Sequence, residues 1–319
     1  MVNAAVRIRN QLRGRWYALI HPPKVLVNFW IIFAPAMADT NKRILVPTDF
    51  SEPSYAALQY AIYIANRTNS RIYLIHFADR SKVKETATTI TAYKEALRLL
   101  EEKLDYVKNH SGAAFRIHAE VITTTQSIAD EISDYGLKIH ATLACIGTSG
   151  VSSKQKEHSL GDNTEKVVKN VDFPVLTCRS VKEPVQFKNF LLPIDLTKYT
   201  QEKVERIMRF ARGFDATIHL VAVSEFLEEF ITSKATLADK LEEAADTIRK
   251  GGMKCTTEMI RHDMVSNSIQ LYADEIDADL LVIMGHEENL FNQWLFGSRI
   301  NRVISNARIP VLSFRPEED

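Results

Sequence analysis

Short, wholly apolar runs alternate along this chain with segments whose apolar residues step by three and four. Ile44–Val46 and Phe190–Leu192 are such runs, and each leads into Pro-x-Asp, ending at Asp49 and Asp195. Continuous apolar runs of this length predict strands buried on both faces. After the first run, Ser51-Glu52-Pro53 predicts a helix start, with Ser as cap and Pro in the first turn. Ala57, Tyr60, Ala61, Ile64 and Ala65 then mark the buried face of that helix, and Val204, Ile207, Met208 and Ala211 mark its counterpart. Second strands are predicted at Ile72–Phe77 and Ile218–Val223. Long amphipathic helices follow, one carrying Ile90, Tyr93, Leu97, Leu100, Leu104 and Val107, the other Leu237, Leu241, Ala245 and Ile248. Third strands fall at Phe115–Ile122 and Cys255–Ile260, and short helices open near Ile128 and Ile269. The most apolar strands, Ala141–Ile146 and Leu280–Met284, each run into a glycine, Gly147 or Gly285, and last strands follow at Val175–Cys178 and Val311–Phe314.

The pattern is one unit written twice. KRILVPTDFS at Lys42–Ser51 returns as KNFLLPIDLT at Lys188–Thr197, and VVKNVDFPVLTC at Val167–Cys178 returns as VISNARIPVLSF at Val303–Phe314. Similarity at so long a period means two copies of a domain, not a short-repeat solenoid. Strand alternating with helix predicts, in each copy, a doubly wound parallel sheet of the α/β class covered on both faces. We divide the chain into an extension (1–38), unit one (39–180), a linker (181–186, with Pro184) and unit two (187–319).

Composition narrows the function classes. The formal net charge is zero, so no field favours nucleic acid. The three cysteines form no C-x-x-C, and Cys145 and Cys178 lie within apolar runs. They read as reduced, buried thiols of a cytoplasmic protein. The extension carries Arg7, Arg9, Arg13, Arg15 and Lys24, then an apolar run ending Ala36-Met37-Ala38. That resembles a secretory signal, but the run is too short for a confident membrane span. The alternative, which we take, is a chain that starts at Met37 and a disordered segment before it. No zinc motif, nucleophile elbow or P-loop occurs, so no catalytic residue and no metal site is assigned. His76 and His219 read as sheet residues, His286-Glu287 and Glu228-Glu229 as solvated, and Gln293–Phe296 as a segment packed on the partner unit.

Ligands of doubly wound sheets sit at the carboxyl ends of strands, where the strand order reverses. Asp49 and Gly147 end two such strands. Gly147-Thr148-Ser149-Gly150, followed by Gly161 before a predicted helix at Asn163–Val171, makes an anion cradle of backbone N–H groups and a helix N-terminus. With the Asp at the first strand's end, this pattern resembles the universal stress protein family in its tandem form, over about Asn41–Arg315. The resemblance implies five-stranded parallel sheets paired as a pseudo-dimer through their last strands. It also implies ATP or AMP, with Mg²⁺, held by Val46, Pro47, Asp49, Phe77, Gly147, Gly150, Gly161, Asp162 and Asn163.

Both copies depart from the family pattern G-x2-G-x9-G-[ST]. In unit one the spacer after Gly150 is one residue long, and Asp162 replaces the hydroxyl residue. A carboxylate there repels phosphate unless a cation intervenes, though Lys154, Lys156 and His158 offset it. In unit two Gly297-Ser298-Arg299 fits, but Glu288 replaces the second glycine. The expectation is a stress-responsive, non-catalytic regulator, at most a slow ATPase, with nucleotide in unit one and a degenerate unit two. Its partners would be an adenine nucleotide and an unidentified protein, with no nucleic acid or membrane and with a homodimer open. The alternative is a dimerisation module that binds no nucleotide. A nucleotide-processing enzyme is the third and weakest reading, for want of a catalytic cluster.

Overall fold

The computed structural model describes residues 29–31, 42–79, 94–96, 98–102, 105, 109, 117–149, 160–195, 199–224, 231–261, 265–284 and 303–316. Unit one contributes β2 (Arg43–Pro47), α1 (Glu52–Thr68), β3 (Arg71–Asp79), β4 (Ile117–Thr124), α2 (Ile128–Lys138), β5 (Leu143–Gly147), α3 (Asp162–Asn170) and β6 (Val175–Cys178). Unit two contributes β7 (Asn189–Ile194), α4 (Thr200–Ala211), β8 (Thr217–Ser224), α5 (Ile231–Lys250), β9 (Lys254–Arg261), α6 (Val265–Glu275), β10 (Leu280–Met284) and β11 (Val311–Phe314). Helical residues also occur at 94–96, 98–102 and 303–306. The remaining residues of the helix expected around Ile90–Val107, among them Ile90, Tyr93, Leu97, Leu104 and Val107, lie outside the described side chains. No described helix is long and apolar enough to cross a membrane.

With β1 at Phe29–Ile31, the strands form one eleven-stranded sheet in the order β1-β4-β3-β2-β5-β6-β11-β10-β7-β8-β9. Each unit is a five-stranded parallel sheet whose order reverses once, between β2 and β5 or between β7 and β10. The units join through an antiparallel pairing of β6 with β11, with Leu176 opposite Leu312 and Val175 opposite Ser313. Beyond the sequence reading, Phe29–Ile31 in the extension forms β1, antiparallel to β4 at the sheet edge. A disordered extension was expected there, but an edge strand offers unpaired backbone groups that a short segment can satisfy.

Three apolar clusters flank the sheet. The largest lies under α1, α4 and α5 and runs through both units without a break. Its centre is Phe187, at the end of the linker, whose ring stacks on Tyr60 at 5.7 Å and meets Tyr63, Phe190 and Phe214 edge-on at 5.4, 5.8 and 5.4 Å. The linker backbone is tied down as well. Lys182 N–H donates to the Tyr60 hydroxyl at 3.1 Å, and Phe187 N–H to the Tyr63 hydroxyl at 3.2 Å. Buried Asp279 accepts from the N–H groups of Lys188 and Asn189 at 2.8 and 3.1 Å and pairs with the Lys182 ammonium at 3.3 Å. On the other face each unit has its own cluster, beneath α2 and α3 in unit one and beneath α6 in unit two.

The seam repeats one contact on both sides of the pseudo-twofold. Arg179, just after β6, donates to the Ser305 carbonyl, and Arg315, just after β11, donates to the Lys169 carbonyl at 3.5 Å. Each arginine reaches the carboxyl end of the partner unit's last helical segment, where partial negative charge favours a cation.

Candidate functional site

The crevice of unit one lies where β2 and β5 end side by side and the strand order reverses. Two helix N-termini converge on it. At the first, Asp49 Oδ1 accepts from Ser51 N–H at 3.1 Å and Ser51 Oγ at 2.5 Å. Ser51 in turn caps α1, its Oγ accepting from Ser54 N–H at 3.4 Å. Asp49 thus orients the cap, and its half-exposed carboxylate lies at the crevice mouth. Between them Phe50 holds a left-handed backbone (φ 65°), a strained conformation for an aromatic residue. Its ring lies 4.7 Å from that of His76, whose Nδ1 is 2.7 Å from the Thr48 carbonyl. Burial lowers the His76 pKa, against the opposing effects of that hydrogen bond and of Asp49.

The second N-terminus is that of α3. Gly161 is its N-cap and supplies no side chain, so no cap side chain takes up the first-turn N–H groups. Gly161 N–H donates to the Thr148 carbonyl at 2.8 Å, and the buried Thr164 hydroxyl donates to the Gly147 carbonyl at 2.8 Å. These two bonds fasten the start of α3 to the end of β5. The Thr148 hydroxyl beside them is buried and has no partner among the described residues. Sequence reading placed Ser51 as the helix cap and Thr148 only within the glycine-spaced loop, and it singled out neither Thr48 nor a bond from Thr164 to the end of β5. Thr164 and Thr48 act between separate elements, Thr164 through its bond to the Gly147 carbonyl and Thr48 through its carbonyl beside His76.

Gly147 has a definite steric role. A Cβ there would lie 2.7 Å from Ser54 N and 2.8 Å from the Pro53 carbonyl carbon. The glycine lets α1 close down on β5. Asp162 and Asn163 are exposed in the first turn of α3, where an acidic side chain complements the helix dipole. Val46 and Pro47 are buried, Val46 within the cluster beneath α1. Phe77 is buried against Tyr135, ring to ring at 6.1 Å, on the face covered by α2. Gly150, Lys154, Lys156 and His158 lie outside the described residues.

Unit two builds the corresponding place differently. Strand pairing sets Gly147 opposite Cys178 and Met284 opposite Phe314, while Val175 and Val311 open the last strands in both units. The structural counterpart of Gly147 is therefore Met284, and Gly285 falls one residue late. The expected match of the two glycines is corrected on this point. The Met284 side chain is buried in the core. Asp195 is held by Lys203, with Nζ–Oδ2 at 2.6 Å and the lysine side chain only 2% exposed. The matching residue of unit one is Ala57, eight residues after Asp49 as Lys203 is after Asp195. The N-cap of α4, Tyr199, makes no side-chain capping bond. Gly285–Glu288, Gln293–Phe296 and Gly297–Arg299 lie outside the described residues.

Cys145 and Cys178 are free and buried on neighbouring strands, and burial raises both pKa values. Among the described residues no group of three His, Cys, Asp or Glu side chains could hold a metal ion.

Comparison with known proteins agrees with this architecture. The universal stress protein family matches twice, over residues 40–179 and 186–315. A universal stress protein of Synechocystis sp. is 22% identical over 300 residues, covering 86% of this chain and all of its own. One from Methanocaldococcus jannaschii is 30% identical over 146 residues, 44% of this chain and 84% of its own. The crystal structure of a universal stress protein from Archaeoglobus fulgidus superposes with a TM-score of 0.68 at 19% identity, covering 88% of this chain and 98% of its own. With two such domains in sequence and their sheets joined through β6 and β11, this chain belongs to the universal stress protein family in its tandem form.

Proposed function

We propose that the chain is a non-catalytic, cytoplasmic stress regulator that senses an adenine nucleotide, ATP or AMP, in unit one alone. The observation that carries this reading is the difference between the two crevices. In unit one two helix N-termini meet a buried hydroxyl with no partner among the described residues, and Gly147 keeps the strand end free of side chain. In unit two Lys203 and Met284 supply a cation and a bulky side chain at the matching positions.

The first-turn N–H groups of α3 and the Gly147–Gly150 backbone would receive phosphate oxygens. Asp49 would accept from the nucleoside, with His76 at the same mouth. A bound Mg²⁺ would supply positive charge between phosphate and Asp162. The described residues offer too few ligands for the ion without the phosphates. We assign Asp49 to the nucleoside and His76 to the Thr48 carbonyl, not to a general base, so hydrolysis would be slow at most. Output would then come from partner binding governed by occupancy.

The test is ATP titration of three chains. Gly150→Glu should abolish binding, and Asp162→Ser should preserve or tighten it relative to the native chain. Native affinity in Gly150→Glu would remove the loop from the mechanism. The dimerisation reading would then stand, favoured by the core shared between the units.

A further inference from the structure

Leu160 belongs to unit one by sequence and to unit two by packing. It is buried in a cluster whose other buried members run from Leu191 to Val311, including Val221, Ile269, Leu281 and Ile304, all in unit two. Leu160 directly precedes Gly161, the N-cap of α3. Further along α3, Val168 packs against the clusters of both units. At the carboxyl end Arg315 of unit two donates to the Lys169 carbonyl at 3.5 Å and lies 3.6 Å from the Asp172 carboxylate. Unit two therefore holds α3 just before its start and at its last turn.

We propose that unit two acts as the positioning element for the phosphate-facing end of α3, and that Leu160 is its positioning residue. The inference rests on the nucleotide reading of unit one. It gives unit two a task although its own crevice differs: the site of unit one is incomplete without it. An N–H group aimed at phosphate is worth most when its direction is fixed beforehand. Leu160 fixes that direction by anchoring the residue before Gly161 in a core that does not belong to unit one.

The experiment uses the full chain, freed of ligand, as native protein, Leu160→Ala and Leu160→Met. ATP and adenosine are titrated into each, and amide exchange is followed at Gly161, Asp162 and Asn163. Leu160→Ala should weaken ATP at least tenfold and leave adenosine within twofold, because only the phosphate contacts depend on α3. Leu160→Met, which refills the same space, should restore ATP binding. Exchange at the three amides should quicken in Leu160→Ala while β2 and β3 amides keep their protection. If native protein binds ATP and Leu160→Ala binds it equally well, the proposal is overturned. If native protein binds no ATP, the nucleotide reading falls by itself, and exchange alone decides. Faster exchange in Leu160→Ala would uphold the anchoring, and unchanged exchange would end it.

Discussion

The Lys203 ammonium lies 2.6 Å from the Asp195 carboxylate in unit two, and Ala57 stands at the lysine's place in unit one. One substitution separates an aspartate committed to an internal ion pair from one that accepts from the Ser51 cap at the end of β2. Removing one partner of a buried pair leaves a charge with no compensation. Lys203→Ala should therefore destabilise the chain by about 3 kcal/mol, the low end for such pairs because Asp195 is partly exposed. Adding Asp195→Ala should recover part of the loss. Urea unfolding of the native chain, both single variants and the double variant gives the coupling directly.

Gly147 is the corresponding sensitive point of unit one. Gly147→Ala places a methyl within 2.9 Å of three atoms of Pro53 and Ser54. Two of these are backbone, so relief requires α1 to move. A loss of roughly 1–3 kcal/mol is expected, the usual range for overpacking. Thermal unfolding and ATP affinity should fall together. Unaltered stability would mean that α1 shifts freely, against the close approach of Gly147 to Pro53 and Ser54.

Tyr60 should make the joint between the units sensitive to alkali. Burial pushes its pKa up to about 12, while the Lys182 hydrogen bond opposes the rise. The unfolded phenol ionises near pH 10, before the folded one. The unfolded state thus gives up its proton first, and stability drops as pH rises from about 10 to about 12. The gap between the two ionisations is worth roughly 3 kcal/mol over that window. Tyr60→Phe should remove this part of the slope, at a cost near neutrality of about 1 kcal/mol for the lost bond from Lys182 N–H. Tyr135, raised by burial and by neighbouring Glu120, would leave some slope behind. Urea midpoints from about pH 8 to about pH 12 compare the two proteins across the ionisation of the phenol. Identical slopes would contradict the assignment.

The strands and the parallel sheet of each unit were legible because period and repetition are local properties of the sequence, and the pairing of the last strands came from the family resemblance. Glycine alignment was not a safe guide to register. Gly147 and Gly285 match by eye, yet hydrogen bonding pairs Gly147 with Cys178 and Met284 with Phe314. An extra residue before Gly285 is visible only once Val175 and Val311 fix the comparison. The Asp195–Lys203 pair was not legible, because Lys203 drew no attention on an ordinary helix face. Leu160 was invisible for a plainer reason. One apolar residue before a glycine carries no periodicity, and its partners begin about thirty residues later in another unit.

On the proposed function, the difference between the crevices has one of them, not both, take an adenine nucleotide. Calorimetric titration of the full, ligand-free chain with ATP, with and without Mg²⁺, tests this most directly. Saturation at one nucleotide per chain is predicted, and a strict need for Mg²⁺ would place Asp162 beside the ion. Two nucleotides per chain, or no saturable binding at millimolar ATP, where association is worth only about 4 kcal/mol, would contradict it.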